Sequence, residues 1–180
     1  MHQVELNHQC MGCGVCVAVC PRQCLSMQAD SEGFLTPHIN ESQCINCNLC
    51  KQICPVTRCS ENPAAADGNS CCIYAVSADA QLVAQASSGG VFPALAQSIL
   101  QQGGAVVGAA FNEKFDVELK IIEKPDQLPE LMQAKYVQAA MPAQLFSDAL
   151  DILKSSRQLL FTGTPCQIAA FRSFCKKEFS

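Results

Sequence analysis

One cysteine spacing, written twice, constrains this chain more than anything else in it. CMGCGVCVAVCP at residues 10–21 and CINCNLCKQICP at residues 44–55 both read CxxCxxCxxxCP. Three thiols set three residues apart wrap one face of an iron-sulfide cube, and the fourth thiolate has to come from elsewhere. In runs of this spacing the cysteine before the proline ligates the other cube, so two copies interlock. The expected ligands of one 4Fe-4S cluster are then Cys10, Cys13, Cys16 and Cys54, and those of a second are Cys44, Cys47, Cys50 and Cys20.

The residues between the thiols fit that reading. Pro21 and Pro55 fix the backbone where the chain leaves each loop and remove a donor from a crowded place. Gly12 and Gly14 permit positive φ and close backbone approach to the cluster, and Asn46 and Asn48, at the matching positions of the second copy, are the next most tolerant of that conformation. A pair of zinc sites usually shows two CxxC pairs and a spacer, which this pattern lacks. Cys24 and Cys59 flank the runs and read as spare or buried thiols rather than ligands. Between the copies, LSMQADSEGFLTPHIN carries a Ser-Glu-Gly turn at residues 31–33 and reads as a hairpin, with His38 as an ordinary loop or packed histidine.

Fourteen cysteines among 180 residues, with 6% aromatics and no Trp, suggest that part of the fold is held by metal rather than by a large apolar core. The amino terminus, MHQVELNHQC, has no basic segment leading into an apolar stretch, and no run is long enough to cross a bilayer. A cytoplasmic protein is expected, with cysteines used for metal rather than disulfides. A formal net charge of −4 and the lack of a basic run argue against nucleic acid as a partner. Two clusters, each about −2, make the loaded chain more acidic still, as suits an electron carrier that docks on a basic redox partner protein.

After the second run, SENPAAADGNS at residues 60–70 reads as a linker. Beyond it strands and helices alternate: CCIYAVSA at 71–78 as a strand, SSGGVFPALAQSILQQGGAVVGAAF as a helix, a Gly-Gly stop and a strand, and VELKIIE at 117–123 as a strand. MPAQLFSDALDILKSS reads as an amphipathic helix with Pro142 near its first turn, followed by the strand QLLFTG and a last helix opening at TPCQIAAF. Helices alternating with apolar strands argue for an α/β layer structure. Two places offer chemistry. Ser87, Ser88, Gly89 and Gly90 precede a helix and suit a phosphate group or ordinary capping. Cys166, in the first turn of the last helix, suits a metal ligand, a reactive thiolate or a small buried side chain.

The doubled run, then SSGGVF, then AKYVQAAM, then LLFTGTPCQIAAF, taken in that order, resembles the coenzyme F-420 hydrogenase/dehydrogenase beta subunit family in its version with an N-terminal dicluster ferredoxin domain. The resemblance implies an iron-sulfur flavoprotein in which FAD exchanges a hydride with a deazaflavin or another organic acceptor and single electrons with the clusters. It further implies that Ser87, Ser88, Gly89 and Gly90 form the cofactor-binding turn, that Lys135 and Tyr136 lie near the flavin, and that Gly163 and Thr164 form a second loop there. Cys166 becomes one ligand of a further 4Fe-4S cluster, whose remaining thiols the family carries beyond the position of Ser180; Cys175 is the local companion at hand.

The expected architecture is an α+β ferredoxin-like dicluster domain at residues 1–59, a linker at 60–70, and at 71–180 the N-terminal, incomplete part of an α/β flavin-type domain. The expected function is that of an oxidoreductase subunit working with other subunits or a redox partner. The competing reading is a stand-alone dicluster electron carrier with no catalysis of its own. A redox sensor, suggested by the adjacent Cys71 and Cys72, comes third.

Overall fold

A computed structural model of the chain describes residues 10–57 and 73–178. The linker at 60–70, with Cys59, Cys71 and Cys72, lies outside the described residues.

Residues 10–57 are two cysteine loops, each leading into a short helix, with a hairpin between them. Helix α1 (Val15–Ala18) follows the first loop and α2 (Leu49–Ile53) the second. Each helix starts behind a left-handed residue, Gly14 at φ 71° and Asn48 at φ 59°. Strands β1 (Leu25–Ala29) and β2 (Leu35–Ile39) pair antiparallel, with Leu25 opposite Ile39 and Ala29 opposite Leu35. Their turn is organised by Asp30, whose Oδ1 accepts from the amides of Glu32 and Phe34, both at 2.9 Å. The hairpin expected around residues 31–33 is therefore present.

Residues 73–178 form a mixed three-stranded sheet with helices around it. In chain order these are α3 (Ala80–Gln85), α4 (Val91–Gln101), β3 (Ala105–Phe111), β4 (Val117–Ile122), a 3-10 turn (Pro125–Gln127), α5 (Leu128–Leu131), α6 (Ala143–Lys154), β5 (Leu159–Phe161) and α7 (Pro165–Glu178). The strand order is β4-β3-β5, with β3 antiparallel to β4 and parallel to β5. Pro165 opens α7 at the first helical position, and Gly103, at φ 76°, lies just past α4 in the expected Gly-Gly stop.

Of the strand expected at 71–78, the described residues 73–78 carry no strand pairing. Ile73 and Tyr74 are exposed, and the backbone link there is Ser77 N to Gly89 O, so apolar, β-prone composition without a neighbouring strand yields an irregular segment. Two helical pieces were not anticipated. Asp79 caps α3, its Oδ1 accepting from the amides of Gln81 and Leu82, and the Lys124–Pro125 step opens the turn leading to α5.

The core decides how the two parts relate. Val15, Val19 and Ile53 of the cysteine-loop unit are buried in one continuous cluster with Leu145, Phe146 and Ala149 of α6 and Phe171 and Phe174 of α7. Phe146 is fully buried, with ring centroids 5.1 Å from Phe174 and 6.5 Å from Phe171. A second cluster, including Ala96, Val106, Ile122 and Leu131, lies between α4, α5 and the sheet. The small unit thus has little core of its own and buries its few apolar side chains in the larger unit's. Each fully buried Val or Ile contributes about 1.5–3 kcal/mol.

Candidate metal centre

Within each cysteine loop the backbone takes the same shape. Gly12 and Gly14 have φ of 66° and 71°, and Asn46 and Asn48 have φ of 54° and 59°. The amide of Gly12 points at Cys10 Sγ at 3.4 Å, and that of Asn46 at Cys44 Sγ at 3.5 Å. Paired left-handed residues turn amides inward toward sulfur, the arrangement that stabilises an anionic cluster.

The thiols meet across the two copies. Burial pushes Cys13 up to about 11, and among its neighbours Cys54, from the second copy, and Cys10 push it further. Cys16 is driven up to about 12 by burial, with Cys13 and Cys10 adding to the effect. Burial also raises Cys50, helped by Cys47 and by Cys20 of the first copy. Desolvation pushes Cys20 upward too, but hydrogen bonds from Cys24, Arg22 and Gln23 outweigh it and its net shift is downward. Neighbouring thiols thus act across the two copies, Cys54 on Cys13, Cys20 on Cys50 and Cys50 on Cys16, so the two loops bring their sulfurs into one region. A buried thiolate without a compensating cation is unfavourable, and iron at each sulfur supplies that compensation.

Among the described residues no three His, Cys, Asp or Glu side chains converge tightly enough to hold a single ion. A cube takes one thiolate at each of four separate irons, so it does not need that convergence. None of the eleven described cysteines is in a disulfide. The donor set, thiols only, in two loops whose amides point at sulfur, fits two 4Fe-4S clusters.

Residues 9–57 match the family model of the 4Fe-4S dicluster domain. The N-terminal unit is a ferredoxin-type dicluster domain. No curated protein matches the chain. The dicluster domain gives the chain an iron-sulfur electron-transfer role, followed by a mixed α/β region with small sheets. No helix among the described residues is long and apolar enough to cross a membrane.

Cys24, expected as a spare or buried thiol, is buried, its Sγ 3.4 Å from Cys20 Sγ. Burial raises it to about 11, with the neighbouring Cys20 and Cys44 adding to the effect. Cys166 and Cys175 do not come together: nine residues apart on α7, they fall on opposite faces and are separated by roughly 13 Å of helix rise. Cys175 packs against the core, whereas Cys166 is close enough to the first quartet to raise Cys13, and its Sγ lies 3.0 Å from Thr164 Oγ1.

The other predicted residues sort into two groups. Ser87, Ser88, Gly89 and Gly90 line an open cleft whose opposite wall is Met132, Gln133 and Ala134, and Ser87 Oγ accepts from the Ala134 amide at 2.6 Å. Lys135 is next to this wall, its Nζ donating to the carbonyls of Met132 at 2.7 Å and Glu130 at 3.1 Å, and burial lowers its ammonium from the ordinary lysine value. Tyr136 extends into solvent. Gly163 and Thr164 instead turn against Gln167, whose Oε1 accepts from the Thr164 amide and whose Nε2 donates to Ala139 O. Gln167 and Gln138 were not anticipated from sequence; both act through contacts that no local pattern announces.

Proposed function

We propose that this chain carries single electrons through two 4Fe-4S clusters, the first held by Cys10, Cys13, Cys16 and Cys54 and the second by Cys44, Cys47, Cys50 and Cys20. In this reading residues 1–59 are the dicluster domain, 60–70 the linker, and 71–180 an α/β unit to or from which the electrons pass. The observation that supports it best is the match of residues 9–57 to the 4Fe-4S dicluster domain, with two cysteine loops of matching left-handed backbone inside it. When bound, the clusters supply reversible one-electron transfer at a potential set by hydrogen bonds to sulfur and by solvent exposure. The chain's own residues then hold the thiolates, aim the Gly12 and Asn46 amides at sulfur, and fix the loops on α6 and α7. Anaerobic purification followed by iron and acid-labile sulfide assay is expected to give about eight of each per chain. Zinc in place of iron, or about four irons, would contradict the assignment.

The finer reading is an oxidoreductase subunit of the F-420 hydrogenase beta subunit kind, with FAD in the α/β unit and a deazaflavin or other organic acceptor. What favours it is that Ser87–Gly90 and the segment leading into Lys135 and Tyr136 border one cleft although they are distant in sequence. In that reading Gly163 and Thr164 contribute the second cofactor loop. Cys166 is a ligand of a further cluster that needs additional thiols. Acid extraction of the anaerobically purified chain and fluorescence of the released flavin test it: stoichiometric FAD supports the subunit reading, and its absence leaves the dicluster electron carrier.

A further inference from the structure

The two cysteine loops share a backbone but not an environment. Gly12 and Gly14 are buried, while Asn46, Cys47 and Asn48 are exposed. What covers the first loop is the strap at residues 138–141. A Cβ built on Gly12 would run into Gln138 Nε2 and fall 2.8 Å from the hairpin's Leu35 O, and one on Gly14 would fall 2.7 Å from Met141 O. Gln138 reaches the hairpin as well, its Oε1 accepting from the Leu35 amide at 2.7 Å. The strap is anchored behind by Ala140, which accepts from the Leu119 amide and donates to Val117 O, each at 2.8 Å, and by Gln167 Nε2 on Ala139 O at 3.1 Å.

The geometry points to Gln138 as a positioning residue that clamps the first cysteine loop to the α/β unit and screens it from water, so that the first cluster is the inner relay and the second is the one presented to external redox partners. The inference rests on the two-cluster reading above. The carboxamide does two things at once: it ties the hairpin to the strap, and it occupies the side-chain space over Gly12 that an ordinary residue would fill. The loop opposite offers Ile45, 59% exposed, and the exposed Cys47 to an approaching partner. Met11, the counterpart of Ile45, is exposed to the same degree, so the two loops differ not at their rims but at Gly12 and Gly14.

The test uses the full chain, reduced anaerobically, with a soluble gadolinium chelate as the probe. Relaxation enhancement of each cluster's electron paramagnetic resonance signal is read, the signals being assigned with Cys10→Ser and Cys47→Ser. The second cluster is expected to respond several-fold more strongly than the first. Gln138→Ala is expected to bring the first cluster's response up toward the second's and to move the first cluster's midpoint potential, with the second unchanged. Gln138→Met keeps the side-chain bulk and deletes the amide, and is read the same way should the alanine variant express poorly. Equal responses in the parent chain, or Gln138 variants that shift neither cluster or both alike, would overturn the inference while iron remains at about eight per chain. A parent chain that takes up no iron would overturn the two-cluster reading and this inference together.

Discussion

The copy at residues 10–21 and the copy at 44–55 have one spacing and one backbone shape, yet their left-handed positions are glycine in one and asparagine in the other. The conformation alone does not demand glycine, since Asn46 and Asn48 adopt it. Glycine is required in the first copy because the carbonyls of Leu35 and Met141, with the end of the Gln138 side chain, occupy the space where a Cβ would go. In the second copy the same positions face solvent, and a polar side chain extends freely. A repeated motif therefore fixes the ligand chemistry, while the residues between the ligands record what each copy leans on.

Metal removal has the largest expected effect on this comparison. Chelation under oxidising conditions should unfold residues 10–57, because their own core is small and their buried thiols lose their cation. Hydrogen exchange should also rise in α6 and α7, which share a core with Val15, Val19 and Ile53. An apo chain with native circular dichroism and unchanged exchange would contradict this.

Next comes Phe146→Ala, which opens a cavity beneath the first copy and is expected to cost about 3–5 kcal/mol in denaturant unfolding of the holo chain. Because α6, which carries Phe146, packs on α1 of the first copy, whereas α2 of the second packs on α7, the first cluster should be lost earlier on heating than the second. Simultaneous loss of the two would show that the copies are coupled more tightly than their surroundings suggest.

Gly14→Ala and Asn48→Ala form a matched pair. Both place alanine in the left-handed region, at about 1–2 kcal/mol. Only the first also drives a methyl to 2.7 Å from Met141 O, so its loss of stability should be the larger, and only it should perturb the first cluster's resonance. Equal losses would remove the strap as the reason for glycine. The smallest effect is expected from Asn46→Gly, within about 0.5 kcal/mol in thermal unfolding, since the position is exposed and its φ is one glycine adopts freely.

How much of this was legible in the sequence follows from how local each determinant is. The loops, the hairpin turn, the Gly103 stop and Pro165 at the start of α7 are set by a few adjacent residues, and each lies where its pattern points. The segment at 73–78 misled because strand-forming composition cannot show whether a partner strand exists. Asp79 is a local signal of the same kind, an Asp at the N-cap of α3. Gln138, Gln167 and the approach of Cys166 to Cys13 depend on the strap crossing between two units, which no periodicity encodes. Cys24 stands beside Cys20 because the chain bends into β1 there, and its spacing alone did not set it apart from a spare thiol.

In the proposed arrangement the copies are interlocked, each lending its last cysteine to the other, and electron paramagnetic resonance of four reduced single variants decides it: Cys10→Ser, Cys54→Ser, Cys44→Ser and Cys20→Ser. Cys54→Ser is expected to alter the same signal as Cys10→Ser, and Cys20→Ser the same signal as Cys44→Ser. If Cys54→Ser instead behaves like Cys44→Ser, and Cys20→Ser like Cys10→Ser, each copy keeps its own four thiolates and the interlocked assignment is contradicted.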